Sequence, residues 1–325
     1  MRRLIGILAS LTLVACGGLE QPPPANPDAA ATGEDAGVAA VEPARPDAGA
    51  VAGPDAETPP PPPPTVRVMT WNTENLFDDQ DDPYKEDTVA TTEAMEAKIA
   101  ALAKVIAAQA PDVVSLQEVE NDAVLRKLAD AAGLPHTALV RSYDFRGINV
   151  AVASRLPISR TVSHLGEKFW APDGSGPYRW ARDCLEVHLA APGGRDLVLL
   201  VNHQTSQLDT STGEAKRQAQ AGRARSIADA LRDQDPDRAV IIAGDLNDEP
   251  GSASVGLIVD GGYVDIANDV PEAERYTYVW NTPRRYDYLL PDPATAAART
   301  RVSIVHGEDV KAASDHSPVV ADFAL

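Results

Sequence analysis

The sequence is almost without cysteine: Cys16 and Cys184 are the only two in 325 residues. That excludes a disulfide framework of the kind that staples small exported domains, and Cys184 reads as a small apolar residue on a buried strand. Basic charge is also in short supply. Against 48 acids stand 29 lysines and arginines, a formal net charge of −19. Eight of the acids and three of the arginines fall in the first 65 residues, leaving about −14 on the remainder. A field of that sign does not draw in polyanions, so any phosphate chemistry needs a local site and metal ions. Beyond the first sixteen residues, no apolar run approaches the ~20 residues of a membrane span. Aromatic residues are missing altogether from 17–65, where alanine and proline dominate and the run Pro59–Pro64 closes the segment. Such a stretch buries too little apolar surface to offset chain entropy, which predicts a disordered tether ending in a stiff polyproline spacer.

The N-terminus reads MRRLIGILASLTLVAC. Two arginines before about ten apolar residues form the pattern of a secretory signal peptide. Leu13-Val14-Ala15-Cys16 resembles the bacterial lipobox. That resemblance implies cleavage after Ala15, lipid on Cys16 and membrane attachment through it. With Gly17 following, it implies an outer membrane lipoprotein on the periplasmic or cell-surface face. Ordinary cleavage with an incidental cysteine is the alternative. The expected organisation is a signal peptide over 1–15, a lipidated cysteine and linker over 16–65, and one monomeric domain over 66–325.

Within that domain, Val66–Trp71 alternates as a strand does, and Met95, Ile99, Leu102 and Ile106 recur at helical spacing. The pattern predicts further strands near 113–116, 136–141, 147–153, 180–189, 196–202, 239–243, 285–290, 301–305 and 317–323. Helices are expected near 121–132 and 213–233. Long helices between strands, with strands in the majority, predict an α/β domain of two packed sheets flanked by helices.

Five strand ends share one feature. TWNTEN, LQEVE, VNH, GDLND and SDH each close an apolar strand with carboxylate, amide or imidazole groups. Ends of one sheet converge on one rim, where loops carry chemistry. Oxygen donors with a few imidazoles suit magnesium, manganese or calcium better than zinc. Taken singly, Glu118 reads as a solvated strand end, Gly244-Asp245 as a turn, and Arg284–Asp287 as a surface ion pair.

Together, TWNTEN, LQEVE, RGINVAVASR, VNHQTS, GDLNDEP, RRYDYLL and SDHSP run in order from 70 to 318. The chain so read resembles the endonuclease/exonuclease/phosphatase superfamily. The resemblance implies a deoxyribonuclease I-like, four-layer α/β/β/α sandwich and phosphate-ester hydrolysis with Mg2+, or Mn2+ or Ca2+ in its place. It implies Glu118, Glu74 and Asp315 as metal ligands, and Asn72 and Arg182 as contacts of the substrate phosphate. Asp245 would activate or position water and Asn247 would orient it. His316 would touch the scissile phosphate, held by Asp287, with His203 as a second phosphate-facing imidazole.

A surface or periplasmic nuclease acting on DNA or RNA is the first functional reading. A phosphatase or phosphodiesterase on inositol phosphates, phospholipid headgroups or nucleotides is the second, and a non-catalytic binding lipoprotein the third. The acidic run Asp78–Asp82 reads as a solvated loop or as a calcium loop beside the site. Tyr143, Phe145, Arg146, Trp170, Tyr178 and Trp180 are either core or stacking groups for bases and sugars.

Overall fold

The structure, a computed structural model, describes residues 64–279 and 282–325. The expected signal peptide, Cys16 and nearly all of the linker lie outside the described residues.

One sheet is built from β1 (Thr65–Leu76), β2 (Val113–Val119), β3 (His136–Leu139), β4 (Asn149–Ser154), β12 (Arg299–Ile304) and β13 (Val319–Ala324). Their spatial order is β12-β13-β1-β2-β4-β3. The other takes β5 (Ile158–Val162), β6 (Cys184–Ala190), β7 (Asp196–His203), β8 (Ala239–Asp245) and β11 (Asp287–Pro291), in the order β11-β8-β7-β6-β5. A separate hairpin pairs β9 (Tyr278–Val279) with β10 (Pro283–Arg284). Each sheet holds one parallel pair joined by a long helix. α1 (Thr92–Gln109) links β1 to β2, and α3 (Gly213–Gln234) links β7 to β8.

Period-two alternation then sorts the side chains into layers. Val66 and Val68 of β1 and Ala239, Ile241 and Ala243 of β8 point into a core between the sheets. Met69 and Trp71 face the other way, onto α1 and α2 (Asp122–Ala132). Val240 and Ile242 face α3 and α4 (Ala253–Val259). The result is the expected α/β/β/α sandwich. Burying a Val or Ile on both faces of such strands stabilises the fold by roughly 1.5–3 kcal/mol each.

The structure moves one strand boundary and bears on several open readings. β6 begins at Cys184, not at residue 180, because Asp183 sits in the left-handed region (φ 72°). There its Oδ1 accepts from the N–H groups of His164 and Cys184, both at 2.8 Å. Trp180 is buried against Phe169 at a centroid distance of 4.9 Å, so it is core and takes no part in stacking. Arg285, far from being a surface partner, is buried and pairs with Asp265. The acidic run is a local scaffold. Asp78 accepts from Gln80 and Asn121, Asp79 from Thr92, and Asp82 pairs with Arg141.

A chain of charged groups fastens the edge of the second sheet. Arg223 pairs with Glu167, which meets His164 at 3.0 Å; Glu186 then bridges His164 (3.1 Å) and His188 (2.8 Å). Asp196 joins His188 (2.9 Å) to Arg238 (2.8 Å). Burial opposes the charged imidazoles, but the carboxylates outweigh it and raise both histidines above their usual value. Burial also works against ionised Glu186, yet its two histidine partners pull its carboxyl down to about 2. The raised histidines stabilise the fold fully below pH 6.5, and that contribution fades as pH climbs through their folded values. The thermal midpoint is therefore expected to fall on going from pH 6 to pH 9. Glu186→Gln should flatten that slope in calorimetry, and a variant with the wild-type slope would refute the assignment.

Candidate active site

The inter-sheet faces do not end where the apolar core ends. Continuing the alternation, β1 presents Asn72 after Val66 and Val68, and β7 presents His203 after Leu199 and Val201. β8 presents Asp245 after Ile241 and Ala243. Asp287 opens β11 directly opposite Asp245. Four polar groups thus close one end of the slab, where two parallel pairs finish together.

Glu118 breaks the rule. After Val114 and Leu116, alternation would point it outward. The register shifts between Leu116 and Val119, and Glu118 takes φ 63°. This bulge re-aims the carboxylate at the other groups. Glu74, Asn75 and Asn247 also have positive φ (53°, 57° and 51°), so left-handed backbone is concentrated at this rim, as strain tends to be at functional sites. Gly244 is required for a different reason. At φ 123°, a Cβ there would lie 2.0 Å from the Asn202 carbonyl oxygen, so only glycine lets β7 and β8 approach this closely.

Asn72 sits at the middle of the site. Its amide donates to Asp245 Oδ2 (3.0 Å) and reaches Glu118 Oε1 at 3.4 Å. Asp245 accepts at its other oxygen from the Asn247 N–H (2.8 Å), and the Asn247 side chain donates to the Gln204 carbonyl. His203 Nε2 lies 3.6 Å from Asp245 and 3.8 Å from Glu118. His316 Nδ1 meets Asp287 Oδ2 at 2.7 Å, leaving Nε2 to face Asp245 (4.0 Å) and Asp315 (3.9 Å). The His316 backbone is pinned by the Trp71 indole and the Ser314 hydroxyl, and the Tyr278 ring lies against the imidazole.

The electrostatics divide the two imidazoles. Burial opposes the charge on His316, but Asp287, Asp245 and Asp315 overcome it and raise the group to about 10. Burial, Arg182, Arg146 and His316 all push His203 well below its usual value, so it is neutral. Burial and the nearby Asp287 lift Asp245 to about 7, against the pull of His316. Asp315 rises to about 6 from burial and from Glu74, Glu118 and Asp287, with His316 opposing.

The oxygen-rich side of the site suits a hard cation. Asp315 Oδ1 is buried without a hydrogen bond, and the carboxylates of Glu74 and Glu118 raise the cost of ionising Asp315, which a divalent ion would relieve. Asp245, Asp287 and His316 also bring one donor atom each within 4.8 Å of one another. In that trio, however, the short Asp287–His316 contact is occupied by a hydrogen bond.

Glu74 stands at the rim, half exposed and paired with Lys98 at 3.2 Å. Arg182 is spent beneath the surface, donating to Asp144 (2.8 Å) and to the Gln204 carbonyl (3.0 Å). It acts on His203 through its charge. The arginine facing Glu118 is Arg146, at 3.9 Å, a residue the sequence offers only as a stacking group. Thr277, which accepts from the Asp287 N–H at 3.0 Å, has no local sequence signal.

The sequence profile of the Endonuclease/Exonuclease/phosphatase family matches residues 69–316. The fold is similar to that of the endonuclease/exonuclease/phosphatase from Beutenbergia cavernae DSM 12333. That likeness has a TM-score of 0.57 at 24% identity, over 79% of this chain and 71% of the other. Truncated Caenorhabditis elegans TDP2 is similar over 80% of this chain and 97% of its own, with a TM-score of 0.57 at 21% identity. D. rerio TDP2, in a complex with a single-strand DNA product, covers 80% and 98% with a TM-score of 0.54 at 17% identity. No curated protein matches the sequence.

Proposed function

Because this chain belongs to the endonuclease/exonuclease/phosphatase family, whose members hydrolyse phosphate esters, we propose that it is a divalent-cation-dependent nuclease acting on DNA or RNA strands. The observation that carries the reading is the His316 imidazolium, held by Asp287 and facing Asp245 across 4.0 Å, beside an Asp315 oxygen that has no hydrogen bond. A phosphodiester under attack gains negative charge on its nonbridging oxygens. His316 Nε2–H and the Arg146 guanidinium are positioned to meet it. Asp287 holds the His316 ring at Nδ1 and favours its charged form, which suits Nε2–H as a donor to the phosphate. Asp245, raised toward neutrality and held by Asn72 and Asn247, is suited to take the proton from water. Glu118, Asp315 and Glu74 would hold a Mg2+ ion, which when bound supplies Lewis acidity at the phosphate. Neutral His203 is a donor toward the same pocket.

Two observations favour a polynucleotide. Tyr143 and Phe145 are exposed on the loop that carries Arg146 (64% and 62%), a placement suited to stacking bases. The structurally similar D. rerio TDP2 is seen with single-strand DNA. The test is the full chain with Mg2+, Mn2+ or EDTA against single- and double-stranded DNA, RNA and a phosphomonoester panel. Metal-dependent strand cleavage is expected. Activity confined to phosphomonoesters, inositol phosphates or phospholipid headgroups would replace the nuclease reading and leave the site assignment standing.

The location is part of the same proposal: Cys16 carries lipid after removal of residues 1–15 and holds a monomeric domain at the outer membrane. Under a high-salt wash, which strips protein held only by charge, Cys16→Ser should shift the protein from the membrane to the soluble fraction. A variant that fractionates as wild type would defeat the lipoprotein reading.

A further inference from the structure

The strand ends opposite the active site carry a second constellation, which the hydrolase chemistry does not use. β6 and β7 pair from Cys184↔Asn202, at the active end, to Ala190↔Asp196. Asp196 and His203 are seven residues apart on one strand, roughly 23 Å. At the far end lies a surface cavity of about 340 Å3, bordered by Arg160, His188, Arg195, Asp196 and Arg238 with the backbone of Gly194.

The cavity is cationic, although the domain around it is acidic. His188 has a carboxylate oxygen on each ring nitrogen, Asp196 at 2.9 Å and Glu186 at 2.8 Å, so both nitrogens donate and the ring is an imidazolium. One Asp196 oxygen, Oδ2, serves both His188 and Arg238, accepting from Arg238 Nε as well. Asp235 lies 3.7 Å from Arg238, and Asp237 offers Arg195 only its carbonyl oxygen, at 2.7 Å. Arg160 is exposed and, among the described residues, has no hydrogen-bond or ion-pair partner. The cavity therefore presents two guanidinium groups, Arg160 and Arg195, that no carboxylate in contact neutralises. Paired arginines at a small open depression match the oxygens of a phosphate group.

The position of the cavity narrows the source of that phosphate. Gly193, on the turn that forms its lip, packs near Pro64, the first described residue: a Cβ on Gly193 would lie 4.0 Å from Pro64 Cγ. The Pro64 carbonyl accepts from the Leu325 N–H at 3.1 Å, which ties that residue to this end. Pro64, where the described residues begin, thus lies at the cationic end, away from Asp245 and His316.

We infer that the Arg160–Arg195 cavity binds the phosphate of an anionic phospholipid headgroup, seating the domain on a membrane with its active site turned outward. Binding needs no lipid on Cys16, and it does not depend on the nuclease reading.

The test uses the full chain carrying Cys16→Ser, so that a covalent lipid cannot account for binding. Co-sedimentation would be measured with vesicles of phosphatidylglycerol in phosphatidylethanolamine and with phosphatidylcholine alone. Arg160→Glu and the Arg160→Ala/Arg195→Ala double variant share the first 63 residues, so differences between proteins report the cavity. Arg160→Glu changes an exposed side chain and keeps the test available if the double variant folds poorly. Affinity for phosphatidylglycerol vesicles should drop about 30-fold in the double variant, as expected for two arginines near an anionic surface at about 1 kcal/mol each. Hydrolysis of soluble substrate should be unchanged. Equal vesicle binding by wild type and variants would overturn the proposal. So would arginine-dependent binding of inorganic phosphate in calorimetry without arginine-dependent vesicle binding, which would mark a site for free phosphate. Loss of oligonucleotide binding in place of vesicle binding would assign the cavity to nucleic acid and also overturn it.

Discussion

His316→Ala, Asp287→Ala and the double variant are expected to lose nearly the same activity, each about 10²–10⁴-fold in strand cleavage. The reason is that the two residues form one device. Asp287 is completely buried, its Oδ2 is 2.7 Å from His316 Nδ1, and its other oxygen has no partner. Its measurable effect on substrate runs through the orientation and charge of the imidazole. Removing either member disables the pair, so the second removal finds little left to destroy. A double variant whose losses multiply would show two independent roles. His316→Ala leaves an uncompensated buried carboxylate and should also lower the thermal midpoint. Asp287→Asn keeps the volume, so loss of activity in that variant without a shift in midpoint separates chemistry from folding.

How far the sequence led can be judged from particular residues. His203 and Asp245 were legible because each extends an inward-facing apolar series by one step, and Asn72 because it lies two steps beyond Val68, past the buried Thr70. Glu118 was legible only through its motif, since alternation alone sends it outward and the bulge that corrects it leaves no hydrophobic trace. The two arginines are the least legible: Arg182 donates to Asp144 and to the Gln204 carbonyl, and Arg146 is the one that faces Glu118. Both precede strands, and nothing in their spacing says that Asp144, thirty-eight residues before Arg182, will engage it. β5 went unseen because its sequence, ISRTV, lies on an open edge with three exposed residues in the middle, so burial imposes no period. The short helices were missed for want of length, although Asp292 capping Pro293–Ala297, with proline at its first position, carries a readable start signal.

Glu118→Gln should cost the protein its divalent cation and, with it, nearly all hydrolysis. The substitution preserves volume, and a glutamine carbonyl oxygen can still accept from the Asn75 N–H that Glu118 Oε2 accepts at 3.1 Å. The bulge and the fold should therefore survive, with an unchanged thermal midpoint in the absence of metal. What disappears is one negative charge from the group formed with Glu74 and Asp315. Loss of an outer partner of a metal ligand already lowers affinity about 10–100-fold, so loss of a charged ligand should reach at least the top of that range. Magnesium titration by calorimetry reads this directly, without any assumption about the substrate. The charge arithmetic has a second consequence. Without Glu118, Arg146 loses the carboxylate 3.9 Å away, and His203 loses one of the two it faces. The emptied site should then hold inorganic phosphate more tightly than the metal-free wild type does. Unchanged magnesium affinity would remove Glu118 from the metal site. Weakened magnesium binding together with weaker phosphate binding would show that the glutamate organises the rim as a whole.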